Sequence, residues 1–271
     1  MRTSSVVNDG AESRGRPRVQ LLRESWPDRP EMGPAVSRAL LDRVAAGEIP
    51  DTIRLSRPGR VVAFGRQDVL SAGYTNAVLA ARDHGYEAME RLAGGRAAAY
   101  FEGTLSLTQT IADPEPPKRT KSRFDAICEA IMQALAGFGI DARVGEVPGE
   151  YCPGAYSVNG AGRVKLAGVG QRMIRGAAHV GAVIVVDDSA ELRRVLEPVY
   201  SALDLRWRPD TTGSVAEATP PGSPRPDVAA VEAALIEKLS GQFDLDPAQL
   251  DSATLERAES IAGKHRSPSP S

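Results

Sequence analysis

Apolar residues recur along the chain with two periods, and the switches between them divide it into elements. From Met32 to Ala46, Val36, Leu40, Leu41 and Val44 fall at helical spacing behind Pro34, which suits a first turn, so the spacing predicts a helix. Alternation takes over at Asp51 to Ser56 and Val61 to Phe64, on either side of Arg57-Pro58-Gly59-Arg60, and predicts a hairpin that ends at Gly65-Arg66-Gln67. Asn76 to His84 returns to helical composition and stops before Gly85. A strand led by Ala88 to Arg91 runs into Gly94-Gly95, and Thr104 to Ile111 predicts another. Ser122 to Phe138 is a long amphipathic helix with Phe124, Ile127, Cys128, Ile131, Leu135 and Phe138 on one stripe. Ala177 to Val186 is an unbroken apolar run, as expected of a buried central strand, and leaves the direction of His179 open. Asp187 to Tyr200 predicts a helix capped by Asp187 or Asp188 and packed through Leu192, Val195, Leu196 and Val199. Asp227 to Phe243 predicts one more, built on Val228, Val231, Leu235 and Leu239.

The stretches without a period set the boundaries. Residues 1–17 are polar and rich in Ser, Gly and Arg, too poor in apolar area to offset chain ordering, and are expected to be a disordered tail. Residues 18–219 form one domain. Pro220-Pro221-Gly222-Ser223-Pro224 opens a segment, 220–245, read as linker and C-terminal helix, and residues 246–271 read as a polar tail. Asp113 to Lys121 is a charged, proline-rich surface loop.

Composition narrows the function classes. A net charge of −2 over 271 residues gives no general nucleic-acid footprint, and no apolar run approaches the length of a membrane span. Two cysteines make no disulfide framework, no Cys/His cluster has metal-ligand spacing, and His84, His179 and His265 are scattered. A monomer in a reducing cytoplasm, with neither membrane nor nucleic acid as partner, is the expectation. Cys128, on the apolar stripe, is expected to be an inert core thiol.

One segment concentrates the chemistry: Glu150 to Gly176, reading EYCPGAYSVNGAGRVKLAGVGQRMIRG. Pro153 and Gly154 leave the Cys152 thiol on a turn. Tyr156-Ser157-Val158, the tight turn Asn159-Gly160-Ala161-Gly162 and Arg163 to Ala167 predict a β-hairpin. That hairpin brings Lys165 back toward Cys152, where an ammonium lowers a thiol pKa and can hold a carbonyl oxygen. Gly168, Gly170 and Gly176 allow close backbone approach, and Gln171, Arg172 and Arg175 add polar groups nearby.

These residues resemble the lipoate-protein ligase and octanoyltransferase family. The resemblance rests on Lys165-Leu166-Ala167-Gly168 with Gln171-Arg172 and Arg175-Gly176, and on Arg91-Leu92-Ala93-Gly94-Gly95 leading to Leu105-Ser106-Leu107-Thr108. Tyr151-Cys152-Pro153-Gly154 is similar to the amidotransferase branch, which passes an octanoyl group between lipoyl-domain proteins through an acyl-cysteine. The resemblance runs from Arg54 to roughly Ala218 and loosely includes Thr211 to Val215. It implies an α+β fold, a mixed β-sheet with helices packed on its faces, like the biotin and lipoate ligase catalytic domains and the class II aminoacyl-tRNA synthetases. It implies Cys152 and Lys165 as catalytic residues, and Arg91, Gly94, Gly95, Ala97, Gly168, Gln171 and Arg172 around the substrate, with Ala98 beside Ala97 along the acyl chain. The implied partners are the glycine cleavage H protein and the lipoyl domains of 2-oxoacid dehydrogenase subunits, with no cofactor required. Three alternatives stand beside this. In an ATP-dependent ligase, with ATP and Mg, Lys165 would meet an acyl-adenylate phosphate and Cys152 would be incidental. An octanoyltransferase would draw instead on acyl carrier protein, and a degenerate domain would only bind lipoyl domains. Arg96 stands where the ligases have a third glycine, a departure that favours transfer.

Overall fold

A computed structural model describes residues 15–268. Most of the tail expected over residues 1–17 therefore lies outside the described residues. The first half of the chain runs β1 (Arg18–Leu22), α1 (Met32–Ala45), β2 (Thr52–Ser56), β3 (Val61–Phe64), α2 (Arg66–Val69), α3 (Tyr74–Asp83), β4 (Glu87–Glu90), β5 (Ala98–Tyr100) and β6 (Thr104–Ala112). The second half runs α4 (Thr120–Ala136), β7 (Ala142–Val144), β8 (Val158–Gly160), β9 (Val164–Ile174), β10 (Ala177–Val185), α5 (Ser189–Ala202), α6 (Val215–Ala218), α7 (Val228–Gln242), β11 (Asp244–Pro247) and α8 (Ser252–Ala262).

The strands form two sheets. The larger has eight in the order β11-β1-β2-β6-β10-β9-β8-β7, parallel at the β11-β1-β2 end and antiparallel from there on; the smaller is β4-β3-β5. The apolar run after Gly176 becomes β10, in the middle of the larger sheet as expected. The fold is the α+β arrangement of a mixed sheet with packed helices.

Alternation on the central strands assigns the two faces. Ile53 and Leu55 on β2, Leu105 and Leu107 on β6, and Val180 and Ile184 on β10 share one buried cluster with Ile127, Ile131 and Leu135 of α4 and with Val231 and Leu235 of α7. Their neighbours Arg54, Ser56, Ser106, Thr108, His179, Gly181 and Val183 face the other way and line a cavity of about 350 Å³. That face is small and polar because it is not filled by a helix. The smaller sheet and its helices α3 and α5 make a second core, and Met89, Ala98 and Tyr100 of that sheet close the cavity from above.

The C-terminal reading needs correction. Of the expected polar tail over residues 246–271, the described residues 246–268 are built into the fold. β11 pairs in parallel with β1 although its sequence is Asp-Leu-Asp-Pro, and α8, capped by the Asp251 carboxylate accepting from Thr254 N at 2.8 Å, packs on α1. Only Thr254, Ala258 and Ala262 of α8 are buried, so its contact stripe is made of small residues that carry little hydrophobic signal. Residues 220–245 are likewise no separate unit, since α7 packs into the main core beside α4.

Candidate active site

Strands β8 and β9 form a hairpin as predicted, but later than expected: Asn159 and Gly160 belong to β8, the turn holds Ala161 and Gly162 at positive φ, and the register shifts next to Asn159. Lys165 pairs with Asn159 and points back under the Glu150–Gly154 turn. Its ammonium is 1% exposed and donates to Glu150 Oε1 (2.9 Å), Tyr151 O (3.0 Å) and Cys152 O (2.7 Å). All three N–H groups are therefore used. Lys165 does come to Cys152 as expected, but it holds the backbone carbonyl and is not free to take a substrate carbonyl. The Gly168 position must stay small, because a Cβ there would lie 3.2 Å from Lys165 Cε.

The Glu150 carboxylate organises the turn. Besides Lys165 it accepts from Val147 N (3.0 Å), Gly154 N (3.2 Å) and the Ser157 hydroxyl. A buried carboxylate so supplied with donors is compensated rather than stranded. Cys152 itself has φ +42°, a conformation that costs a non-glycine residue energy and needs enforcement. The Tyr200 hydroxyl of α5 enforces it by accepting from Cys152 N at 2.7 Å and donating to Ala97 O at 2.9 Å.

Two donors address the half-buried sulfur, Arg91 Nη2 and Arg96 N, each 3.3 Å from Sγ. Burial pushes the thiol up. Against that, the Arg91 charge, then the Lys165 charge and the two hydrogen bonds, bring it below its ordinary value. Arg91 thus does more for the thiolate than Lys165, the cation expected from the sequence. Arg91 also donates to the Arg96 carbonyl, and its buried Nε has no acceptor among the described residues. Gly95 has to be glycine: its φ is +108°, and a Cβ would press on the Arg91 guanidinium and lie 2.9 Å from Sγ. Arg96, the departure from the ligase pattern, turns its side chain away to the buried Asp68 carboxylate (3.3 Å), which also caps Gly65 N.

The other expected substrate residues divide. Arg91, Gly94, Gly95 and Gly168 line the cavity with Cys152 and Lys165. Gln171 lines it too, yet its amide is spent on α4, accepting from Arg123 Nε (3.2 Å) and Nη2 (3.1 Å) and donating to Thr120 O (3.3 Å). Two expectations are corrected. Arg172 is exposed and outside the lining, being near the solvent end of β9. Ala97 is fully buried in the second core, because alternation along β5 turns Ala98, not Ala97, to the cavity. Sequence reasoning misses the roles of Glu150, Tyr200 and Arg54, and the direction of His179, left open by the sequence, is inward. Each is a polar residue within an apolar or mixed segment, and only its burial marks it out. Among the described residues no three His, Cys, Asp or Glu side chains gather as a metal-ligand set, and no helix is long and apolar enough to cross a membrane.

The family model of the lipoyl protein ligase A/B catalytic domain matches residues 29–240, most of the chain. The chain belongs to that family. Among its relatives is the octanoyl-[GcvH]:protein N-octanoyltransferase of Bacillus velezensis, 28% identical over 211 residues that make up 74% of this chain and 73% of the relative. The protein of the same description from Geobacillus kaustophilus is 28% identical over 60% of this chain and 57% of its own length. Solved structures of the fold include a bipartite lipoate protein ligase studied with its E2 lipoyl domain from Thermoplasma acidophilum, with a TM-score of 0.71 at 20% identity over 92% of this chain and 93% of that one. At that identity the likeness is one of fold, and it agrees with the two-sheet architecture of this family member.

Proposed function

We propose that this lipoyl protein ligase A/B family member is a protein N-octanoyltransferase, which moves a medium-chain acyl group through a Cys152 thioester onto lysines of lipoyl-domain proteins. The observation that carries this is the sulfur at the cavity wall, its charge drawn out by Arg91 and Arg96 N. Its likeness to octanoyl-[GcvH]:protein N-octanoyltransferases supports the same reading, with an octanoylated glycine cleavage H protein as donor. The acceptors are lipoyl domains, a class that the Thermoplasma ligase was studied with.

In the first step the Cys152 thiolate attacks the carbonyl carbon of the donor's acyl-lysine amide. A C–S bond forms, the C–N bond breaks, and the donor lysine leaves as an amine, taking up a proton. In the second, an acceptor lysine amine attacks the thioester, a new C–N bond forms, the amine loses a proton, and the thiolate is released. Arg96 N–H and the Arg91 guanidinium, which address the sulfur, are the donors for the oxygen that gains charge in both steps. Lys165 and Glu150 hold the turn that carries the sulfur. Amide exchanged for amide is close to thermoneutral, so the reaction takes no ATP. The occupied Lys165 ammonium argues in the same direction, because the ligase reading needs it on a phosphate.

Intact-protein mass spectrometry tests this. Octanoylated glycine cleavage H protein, without ATP, is expected to leave one hydroxylamine-labile octanoyl group on the wild type and none on Cys152→Ala. Acceptor modification that requires ATP and survives Cys152→Ala would establish a ligase instead. Loading from octanoyl-acyl carrier protein alone would change the donor.

A further inference from the structure

The backbone N–H that reaches Sγ from Arg96 at 3.3 Å belongs to a loop whose two preceding residues are Gly94 and Gly95. Successive glycines give a chain little direction of its own, so that N–H has to be aimed by its surroundings. On one side the Arg91 guanidinium, itself in contact with the sulfur, donates to the Arg96 carbonyl. On the other, Arg96 Nη1 reaches Asp68 Oδ1 at 3.3 Å.

Asp68 is built as a fixed point. It lies in α2 and is fully buried. Its Oδ2 accepts from Gly65 N (3.1 Å), its N–H donates to Gly65 O (3.0 Å), and its carbonyl accepts from the Ser71 N–H (2.9 Å) and hydroxyl (2.8 Å). One carboxylate therefore bonds the Gly65 turn through one oxygen and the Arg96 side chain through the other. The two loops touch at this point, since a Cβ on Gly65 would lie 1.7 Å from Gly95 O. Arg96 is the one cation within ion-pair distance of Asp68 among the described residues.

The charge of Asp68 works against the site that it borders. Its field reaches the Arg91 guanidinium and the Tyr200 hydroxyl, the two side chains that hold the sulfur and the nitrogen of Cys152. An anion so placed disfavours a thiolate. Burial also holds the Asp68 carboxyl above its ordinary range, although Gly65 N and Arg96 oppose it. What Asp68 contributes is position rather than charge.

We propose that Asp68 is a positioning residue of the acyl transfer: by tying the Arg96 side chain to the Gly65 turn, it keeps the Arg96 N–H on the sulfur and on the oxygen that gains charge. This rests on the acyl-transfer reading above and adds a residue that touches neither the sulfur nor the cavity.

Asp68→Asn keeps the shape and an acceptor for Gly65 N, and removes the charge that holds Arg96. With Cys152→Ser as blank, the pH–rate profile of iodoacetamide labelling of Cys152 is expected to move upward by roughly half a pH unit or more, part of the worth of a hydrogen bond to a charged group. The sign decides, because loss of a nearby anion by itself moves the profile downward, and a purely structural role lowers the melting temperature and leaves the profile in place. Loading from octanoylated glycine cleavage H protein should slow roughly tenfold at saturating donor, with the half-saturating concentration unchanged. In an Arg96→Gln background the same substitution should bring no further upward move, the tie being already cut. An unmoved or lowered profile, loading at the wild-type rate, or an equal upward move in the Arg96→Gln background overturns the proposal. Should Asp68→Asn not fold, Asp68→Ser removes the same charge and is read by the same sign. If wild type takes no octanoyl group, the acyl-transfer reading fails, while the labelling profile, which needs no substrate, still judges the hold of Asp68 on the sulfur's donor.

Discussion

Cys152 and Cys128 show how surroundings divide two identical side chains. Burial pushes the Cys128 thiol on α4 up to about 12, whereas Arg91 and Lys165 outweigh burial at Cys152 and bring it below its ordinary value. Because the thiolate is the reactive form, alkylation of Cys152 should rise with pH through a midpoint lower than that of a free cysteine. Removing the larger of the two charges should move it back. The pH–rate profile of iodoacetamide labelling, with Cys152→Ser as blank, is therefore expected to shift upward in Arg91→Gln, while Cys128 stays unlabelled in the folded protein. An unmoved profile would mean that Arg91 does not set the thiolate. Cys152 and Lys165 were legible in the sequence because their turn and glycine context is local. Arg91's hold on the sulfur was not, since it spans 61 positions and depends on how Gly95 folds back. Glu150 was equally hidden: a glutamate before a turn looks solvated until the fold closes over it.

Among the elements, the hairpin of β8 and β9 and the central strand β10 followed from turn residues and apolar runs, whereas the hairpin expected of β2 and β3 does not form, because the two strands enter different sheets. What the pattern could not supply is the joint between elements. In the sequence Tyr200 only closes the predicted helix, yet its hydroxyl links α5 to the backbone of both Cys152 and Ala97. Tyr200→Phe keeps the ring's packing against Trp207 and removes only the oxygen. It leaves Cys152 N–H without its acceptor, which costs about 1–3 kcal/mol, and frees a residue at φ +42° to relax. Urea unfolding should register that loss, and Cys152 should load with acyl group more slowly. Loss of stability with unchanged loading would show that the hydroxyl is structural only. The shift from Ala97 to Ala98 has a similar origin, because a strand of three residues gives alternation too little length to set its phase.

The chain as one body is fastened by its C-terminal part, which composition marks as a tail. Arg43 pairs with Asp251 (2.5 Å) and Arg29 with Glu259 (2.7 Å), binding α8 to α1 and to the loop before it. Beyond α8, His265 meets Glu90 O (2.8 Å) and Ser267 meets the Tyr74 hydroxyl (2.8 Å), on the side of the smaller sheet. The segment therefore spans both layers that enclose the cavity. It also covers Met32, Val36 and Leu40 of α1, whose first turns supply Gly33, Pro34 and Ser37 to the cavity wall beside Arg54. Ending the chain after Gln242 would uncover those side chains, each worth about 1.5–3 kcal/mol when buried. At a few degrees per kcal/mol for a domain of this size, the melting temperature should fall by roughly 10 °C or more. The position of the damage makes a finer expectation. Among the described residues Cys152, Arg91 and Tyr200 make no hydrogen bond to the removed segment, so below the new melting temperature iodoacetamide should still label Cys152 at the wild-type rate, whereas acyl loading should weaken because the far wall has loosened. If labelling and loading fell together, the C-terminal segment would be supporting the sulfur as well, and the cavity would not divide into a rigid nucleophile end and a dependent chain end.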